Sequence, residues 1–255
     1  GVLLALPALI GEGLLSSAER IYAPLKAGFY GLHSILLCLV MMALLRIKSI
    51  ERLSAHQPGE LGILLGLDRV PEVKTLRRKL AELGDQQRAA KLAAALTERW
   101  SRGEPDELGV LYIDGHVTTY TGRKHRLPKR FVQKRRQCQP AVTDTWVHNG
   151  AAEPLFFVTS SINKHLLGLI EQDVIPQARR QIGAHRTLTL VFDREAWSPK
   201  SFQRWHTRGV DVITYRKGKQ APWDPADFQP FNLERNGKSV TYWLAERSVQ
   251  VIPAT

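Results

Sequence analysis

Two acidic residues occupy corresponding places in two separate apolar segments of this 255-residue chain. Asp114 ends the segment LYID and Asp193 ends the segment LVFD, and both segments are typical of buried β-strands. If the strands are parallel neighbours, the carboxylates meet at the carboxyl edge of one sheet, where sites form in α/β proteins. Such a pair needs a cation, and oxygen ligands favour Mg²⁺ or Mn²⁺. Two of these ions support phosphodiester chemistry.

The alternative for each aspartate is that it only begins a turn, which is a common role of this residue. The overall charge favours a site, because 36 Lys and Arg against 24 Asp and Glu leave a net charge of +12. A chain this basic is expected to bind a polyanion, most often nucleic acid. Hydrophobic residues make up 44% of the chain, which excludes a disordered protein. Two distant cysteines form neither a disulfide framework nor a zinc cluster, and they fit a reducing cytoplasm.

The elements that must position the two aspartates are predicted after a change of pattern near residue 103. Residues 1–103 have helical spacing, 104–218 alternate strands with helices, and 219–255 have the pattern of a β-rich insertion. LGVLYID is a strand, with VTTYTG as its hairpin partner. AVTDTWV, PLFFVTS, TLTLVFD and VDVITYR are further strands. Lys164 to Ile182 and a segment opened by Pro199 and closed by Gly209 are helices. The predicted order is β-β-β-α-β-α-β in a mixed sheet.

Two segments within residues 1–103 help to decide whether this is a membrane protein or a DNA-binding protein. The uncharged segment 27–45 has a strictly apolar part that is shorter than the ~20 residues a bilayer needs, so it predicts a buried helix rather than a membrane span. The segment ELGILLGLDRVPEVKTLRRKLAEL predicts a helix-turn-helix with Gly66 in the turn and Pro71 opening the second helix. Its second helix would direct four side chains to the DNA major groove: Lys74, Thr75, Arg77 and Arg78. An ordinary helical pair is the alternative.

A second basic segment follows the first predicted strands. RKHRLPKRFVQKRR, residues 123–136, holds eight Lys or Arg: Arg123, Lys124, Arg126, Lys129, Arg130, Lys134, Arg135 and Arg136. Carboxylates repel DNA, so cations beside them are needed to hold its phosphates. The alternative is a solvated charged loop. Trp146, Trp197 and Trp205 are expected to pack rather than to stack on bases.

The combination of LYIDGHVTTYTGRKHRLPKRFV with LVFDREAWSPKSFQRWHTRGVDVITYRKGK resembles the catalytic core of bacterial insertion-sequence DDE transposases, over residues 60 to 250. The resemblance implies a ribonuclease-H-like α/β fold and DNA cleavage and strand transfer at transposon ends. It also implies two Mg²⁺ or Mn²⁺ ions on Asp114 and Asp193, a homodimer on double-stranded DNA ends and target, and a bacterial cytoplasmic protein at the nucleoid. Arg194 would contact DNA phosphate or orient Asp193. Glu195 would contact the metal-binding residues rather than bind the metal itself. His116 would either touch the site or finish a turn.

The chain departs from this family after the fifth strand, where a helix should carry the third acid, a Glu. No helical pattern follows Arg216, so we expect that Glu beyond residue 255, with Glu246 as the best substitute inside the chain and Glu234 behind it. Two other functions stay open. One is a nuclease or repair enzyme on the same fold, and the other is a catalytically inactive DNA-binding remnant of a transposase. A membrane protein would rest on 27–45 alone.

Overall fold

The computed structural model describes residues 2–100, 109–122, 125–132, 135–183, 186–218, 222–235 and 237–251. The chain divides into two compact units, Gly1–Leu108 and Gly109–Thr255, here called the N-terminal unit and the C-terminal unit. The boundary expected at residues 103 and 104 falls outside the described residues. The predicted combination of a helical region with a mixed α/β region agrees with the elements that form.

The regular secondary structure of the N-terminal unit is helical in its described part. Its α-helices are α1 Leu6–Gly11, α2 Leu14–Ile21, α3 Leu32–Leu44, α4 Pro58–Ile63, α5 Val73–Asp85 and α6 Ala89–Trp100. Helix α3 comes from the apolar segment that predicted a buried helix, and Ile35, Leu36 and Cys38 are buried on it. Burial raises the pKa of the Cys38 thiol to about 11. None of the described helices is long and apolar enough to cross a membrane.

The bounds of the helices around α5 differ from the predicted ones. Pro71 does not open this helix, because Glu72 is its N-cap and Val73 its first residue. Gly84 does not end it either, since the helix continues to Asp85, which therefore does not cap the next helix. The physical reason is tertiary: Leu76 and Leu83 are buried in the core cluster, and this packing outweighs the low helix propensity of Gly84.

A buried lysine ties α5 to the segment between α2 and α3. Lys79 is 3% exposed, and its Nζ donates to the Lys26 carbonyl at 2.6 Å and to the Glu82 carboxylate at 3.3 Å. The same Glu82 oxygen accepts from the Lys26 backbone N–H at 3.2 Å. Burial tends to raise the pKa of Glu82, but the hydrogen bonds from Lys79 and Lys26 outweigh it and hold the pKa below its ordinary value of 4.5.

This arrangement predicts an acid-dependent loss of stability in the N-terminal unit. A carboxyl whose pKa is lowered by folding stabilises the protein above its unfolded pKa, and the contribution disappears as pH falls through the folded value. We therefore expect Glu82→Gln to be less stable than wild type at pH 7 and to lose less stability between pH 5 and pH 3. Urea unfolding followed by far-UV circular dichroism measures this. Equal pH slopes for the two proteins would contradict it.

The C-terminal unit contains a six-stranded mixed sheet, several helices and a separate hairpin. The strands of the sheet are β1 Val110–Thr119, β2 Lys129–Val132, β3 Gln137–His148, β4 Pro154–Ser161, β5 Leu188–Val191 and β6 Val210–Ile213. The helices are α7 Leu166–Leu169, a π-helical turn Ile170–Val174, α8 Ile175–Ile182 and α9 Pro199–His206. As predicted, Pro199 begins α9, and Gly209 ends the turn after it with a left-handed φ of 69°.

The sheet runs β2-β3-β1-β5-β6, with β4 also paired to β3. Strands β1, β3 and β4 are antiparallel neighbours, whereas β1, β5 and β6 are parallel. The predicted hairpin within 108–122 is wrong: VTTYTG is not the partner of LGVLYID. Residues 110–119 form one continuous strand, because β3 is long enough to pair with it from Tyr112 to Thr119. Asp114 consequently lies inside β1, not at its end.

One side of this sheet forms the core of the C-terminal unit. Leu111 on β1 and Leu190 on β5 are fully buried and lie opposite each other in register, and Ile170 and Val174 of the π-helical turn are also fully buried. The segment 164–182, which predicted one helix, therefore keeps its buried apolar residues on one continuous helical stretch. Pro176 lies in the first turn of α8 and does not interrupt it. Residues Gln229–Arg235 (β7) and Lys238–Leu244 (β8) form a two-stranded hairpin. Strands thus occupy only part of 219–255, where a β-rich insertion was predicted, and residues 245–251 form no strand.

Candidate active site

The two aspartates follow the paired parts of two adjacent parallel strands by the same number of residues. In the β1–β5 pair, Tyr112 is opposite Val191, and Asp114 and Asp193 each follow two residues later. The pairing ends at Tyr112 and Val191, so each aspartate lies two residues beyond the last paired residue of its own chain segment. Asp193 lies beyond the last residue of β5 and caps a 3₁₀ turn, Arg194–Ala196. Its carbonyl accepts from Thr214 Oγ1 at 3.0 Å, which ties it to the end of β6.

Each carboxylate uses one oxygen for a local hydrogen bond. Asp114 Oδ1 accepts from the Gly115 N–H at 2.9 Å, and Asp193 Oδ1 accepts from the Glu195 N–H at 2.9 Å. Both residues are exposed. Neither has a further side-chain partner within the described ranges, so each has oxygen lone pairs available for a cation. Among the described residues, no group of three or more His, Cys, Asp and Glu side chains is close enough to hold a metal.

Both aspartates line one open cleft of about 990 Å³. One wall consists of β1 from Ile113 to Thr119, and the others come from β2, β3, β4 and α7. Glu195 and His116 also line it, so two residues expected near the site do lie beside the aspartates. His116 does not finish a turn, because it is in register with Asp144 within the β1–β3 ladder. Arg194 is exposed and is not part of the cleft lining in the described chain.

The substitutes for the third acid lie on the hairpin or beside it, away from the cleft lining. Glu246 is exposed and follows β8, and Glu234 is exposed within β7. Neither contributes to the described lining of the cleft. No acid from this hairpin therefore joins Asp114 and Asp193 in the cleft as the structure describes it.

The basic residues of α5 are partly free and partly engaged. Lys74 and Arg78 are exposed and Thr75 is half-buried. Arg77 binds Glu51, with Nη2 2.5 Å from Oε1, and this bond is the main reason why the pKa of Glu51 lies below its usual range. Gly66 has a left-handed φ of 67° in the connection before α5, which agrees with its predicted turn. Arg77 is exposed as well, so Lys74 and Arg78 are the exposed cations of the predicted recognition helix that form no ion pair among the described residues.

The basic segment 123–136 is partly a strand and partly outside the described residues. Arg123, Lys124 and Lys134 fall outside them. Lys129 and Arg130 lie on β2, and Arg126, Arg135 and Arg136 are exposed. Arg130 and Arg135 line the cleft, and Arg130 Nη1 donates to the Ile162 carbonyl at 3.1 Å. Part of the segment thus lies at the same cleft as the aspartates, rather than only in a solvated loop.

The sequence patterns did not single out two groups of cleft residues. Lys164 follows β4 and lines the cleft, as do the hydroxyl-bearing Thr143 and Ser160. No sequence motif identifies these residues, because they lie at the cleft only as a result of the antiparallel pairing of β3 with β1 and of β4 with β3. Of the tryptophans expected to pack, Trp205 is buried, whereas Trp146 is 36% exposed and lies opposite Asp114 in the β1–β3 register.

Comparison with known proteins identifies the class. The chain belongs to a family of transposase proteins, whose family model matches residues 1–252. None of the curated proteins matches the chain. A similar solved structure is that of piggyBac transposase in a synaptic complex with hairpin DNA, at 12% sequence identity and a TM-score of 0.41. The match covers 86% of this chain and 50% of the piggyBac chain, so the chain spans about half the length of that protein.

Proposed function

We propose that this chain cleaves DNA at transposon ends and joins the ends to target DNA, using Asp114 and Asp193 as metal-binding carboxylates of a DDE-type site. The observation that carries the proposal is that both aspartates line one cleft in a transposase family member, each two residues beyond the paired part of adjacent parallel strands. A net charge of +12 supports a DNA substrate. The strand order of antiparallel β4-β3-β1 followed by parallel β5-β6 supports a ribonuclease-H-like core.

The cation expected at this site is Mg²⁺ or Mn²⁺, with two ions on the aspartates. The donor set fits, because Asp114 and Asp193 are exposed, each has free oxygen lone pairs, and hard oxygen ligands suit these ions. Bound ions would activate the attacking oxygen and stabilise the leaving oxygen at phosphorus. The chain's own residues orient the carboxylates, because the Gly115 and Glu195 N–H groups each donate to one oxygen of Asp114 and Asp193 respectively. The third carboxylate of the proposed site is not assigned to Glu246.

The finer details of the proposal come from the family resemblance. They are an origin in a bacterial insertion sequence, a homodimer on paired ends, and a place at the nucleoid in the cytoplasm. Size-exclusion chromatography with light scattering, with and without end DNA, tests the dimer.

DNA duplex binding is assigned to the exposed cations of α5, together with the basic segment at the cleft. Replacing Lys74 and Arg78 together with Gln should weaken duplex binding about tenfold at 0.1 M salt and reduce the salt slope by about two, since two phosphate contacts are lost. Lys91→Gln, at an exposed position on α6, is the matched control and should change neither quantity. Fluorescence anisotropy over a salt series measures both. An unchanged slope in the double variant would remove α5 from the DNA interface.

The experiment that tests the function uses DNA from both flanks of the element's own coding sequence. Incubation with Mg²⁺ should cut at the element ends and insert them into a target plasmid, and EDTA should abolish both products. End cutting without strand transfer would favour the alternative nuclease on the same fold. Salt-dependent binding without cutting would favour the inactive remnant. Each outcome identifies one of the three functions.

A further inference from the structure

The two aspartates of the candidate site are held in place by different means. Asp114 lies within β1, where the backbone ladder to β3 continues on both sides of it. Asp193 lies beyond the last residue of β5, and the ladder from β5 to β6 ends at Val191 and Ile213. A ladder fixes a residue through hydrogen bonds of its own peptide groups. The position of Asp193 therefore depends on contacts other than strand pairing.

Residues 193–195, here called the Asp193 turn, are exposed between two buried residues. Phe192 before the turn is 5% exposed, and Ala196 after it is 1% exposed. Within the turn, Asp193 Oδ1 accepts from the Glu195 N–H at 2.9 Å. The direction of the carboxylate consequently follows the conformation of the turn, because the same peptide group that shapes the turn also binds the carboxylate.

The segment that follows β6 holds the Asp193 turn through two side chains. Thr214 Oγ1 donates to the Asp193 carbonyl at 3.0 Å, and Lys217 Nζ donates to the Glu195 carbonyl at 3.2 Å. A 3₁₀ turn bends away from the extended backbone of a strand, so its peptide groups cannot continue a sheet ladder. Side-chain donors of the neighbouring segment therefore continue the connection between β5 and β6 along the turn.

The two contacts differ in their expected strength. Thr214 is half-buried and has a short side chain, whereas Lys217 is exposed and has a long one. Ordering a lysine side chain costs more conformational entropy than ordering a threonine, and an exposed hydrogen bond competes with water. We therefore expect Thr214 to contribute the larger part of the restraint on the Asp193 turn.

This restraint matters for a cation because a ligand that is already oriented loses less freedom when the cation binds. Hydrogen-bond partners that orient metal-binding side chains typically change metal affinity by about 10- to 100-fold. The Asp193 carboxylate is exposed, so packing does not fix its direction. If the turn fluctuated, the carboxylate and the Glu195 N–H that binds it would move together, and both would have to be ordered during binding.

We propose that Thr214 and Lys217 are positioning residues, which hold the Asp193 turn so that the Asp193 carboxylate is oriented for a divalent cation before the cation binds. Neither residue belongs to the described lining of the cleft, so both act through Asp193 and Glu195 rather than by touching the substrate. The inference rests on the proposed function, because it takes Asp193 as a metal-binding residue.

The first test is a titration of the full protein with Mn²⁺ in the absence of DNA, with free Mn²⁺ measured by electron paramagnetic resonance. Thr214→Val should raise the dissociation constant about fivefold, less than is typical for partners of a ligand atom, since Thr214 binds the backbone instead. Thr214→Ser keeps the donor and should stay within about twofold of wild type. Thr207→Val is the matched control, because it removes a hydroxyl that donates to the Arg204 carbonyl at 2.8 Å instead. It should leave Mn²⁺ affinity unchanged.

The second test separates the position of Lys217 from its charge. Removing a cation near a metal site would strengthen metal binding if charge alone mattered. A positioning role predicts the opposite sign, so Lys217→Met should weaken Mn²⁺ binding about twofold, and Lys217→Arg should restore part of the loss. Lys238→Met removes the same charge from an exposed position on β8 and serves as the control. Stronger Mn²⁺ binding by Lys217→Met would overturn the role proposed for this residue.

Cleavage of end DNA distinguishes positioning from a loss of folded protein. In Thr214→Val, the Mg²⁺ concentration that gives half the maximal single-turnover rate should rise about fivefold, whereas the rate at saturating Mg²⁺ should stay within about twofold. A variant that only contained less folded protein would be slower at every Mg²⁺ concentration. Unchanged Mn²⁺ affinity in Thr214→Val, or an equal loss in Thr214→Ser, would reject the proposal for Thr214.

The Asp193→Asn variant shows whether a failure lies with this inference or with the proposed function. If Asp193→Asn weakens Mn²⁺ binding and neither Thr214→Val nor Lys217→Met does, only the inference is rejected. If Asp193→Asn leaves Mn²⁺ binding unchanged, the metal site of the proposed function is rejected and the inference with it. If Thr214→Val lowers the melting temperature, Lys217→Met decides the question from an exposed position, and unchanged Mn²⁺ affinity there rejects the proposal.

Discussion

Replacing either Asp114 or Asp193 with Asn should lower Mg²⁺-dependent end cleavage about a thousandfold. A metal that has lost a carboxylate ligand loses several kcal/mol of transition-state stabilisation, and each 1.36 kcal/mol is a factor of ten in rate. The expected losses are similar for the two residues, because both line the same cleft and each follows the paired part of β1 or β5 by two residues. Single-turnover cleavage of labelled end DNA by the full protein measures the effect.

Binding measured without metal distinguishes this loss from misfolding. Both aspartates are exposed and each makes one local hydrogen bond, so the variants should fold normally. Removing a negative charge beside the DNA should keep or slightly raise DNA affinity in EDTA. Asp211→Asn is the matched control. It removes an aspartate from β6 whose partner is His206, and it should cut at the normal rate. Normal cleavage by Asp114→Asn or Asp193→Asn would contradict the assignment of these residues to a DDE-type site.

The largest expected effect on stability comes from Arg179 on α8. Its guanidinium donates to the carbonyls of Arg186, Arg208 and Gly209, the last two at 2.8 and 2.9 Å. It therefore joins the end of α8 to the segments that precede β5 and β6, the strands beside the carboxylates. Arg179→Met removes these three hydrogen bonds, although the Gly209 carbonyl keeps the Leu188 N–H as a donor, and it should destabilise the C-terminal unit by about 2 kcal/mol.

Tryptophan fluorescence gives a suitable measurement, because five of the six tryptophans lie in the C-terminal unit. The midpoint of urea unfolding should fall by about 1 M, given a denaturant slope of roughly 1–3 kcal/mol per M. Arg180→Met changes the exposed neighbour on the same helix and should shift the midpoint by less than a quarter of that amount. Equal midpoints for Arg179→Met and Arg180→Met would show that the three hydrogen bonds contribute nothing net.

The prediction of the sheet succeeded where the local pattern was strong and failed where a partner strand decided the outcome. The short apolar strands β5 and β6 and the Pro199-initiated helix α9 were predicted close to their bounds, because residue type and capping act within a few residues. The prediction of a hairpin after Asp114 was wrong, because the residue types of 115–119 are compatible both with a separate partner strand and with an extension of β1. Only the length of β3 distinguishes the two.

The prediction of helix ends in the N-terminal unit failed for a related reason. Gly84 and Pro71 are signals of helix ends in an isolated segment. In the folded unit, burial of Leu83 and the Lys79–Glu82–Lys26 hydrogen bonds stabilise the last turns of α5 past Gly84. Together these contacts outweigh the helix-propensity cost of one glycine, which is roughly 1 kcal/mol.

The sequence by itself determined which two acids to consider, since Asp114 and Asp193 follow apolar segments whose residue types predict strands whatever surrounds them. It also determined the basic character of the chain and the helical and mixed parts. Only the tertiary structure decided that Asp114 lies inside a strand and that Lys164, Thr143 and Ser160 line the cleft with it. These facts depend on which strands pair and in which register, and pairing joins residues too far apart in the chain for any local pattern to specify.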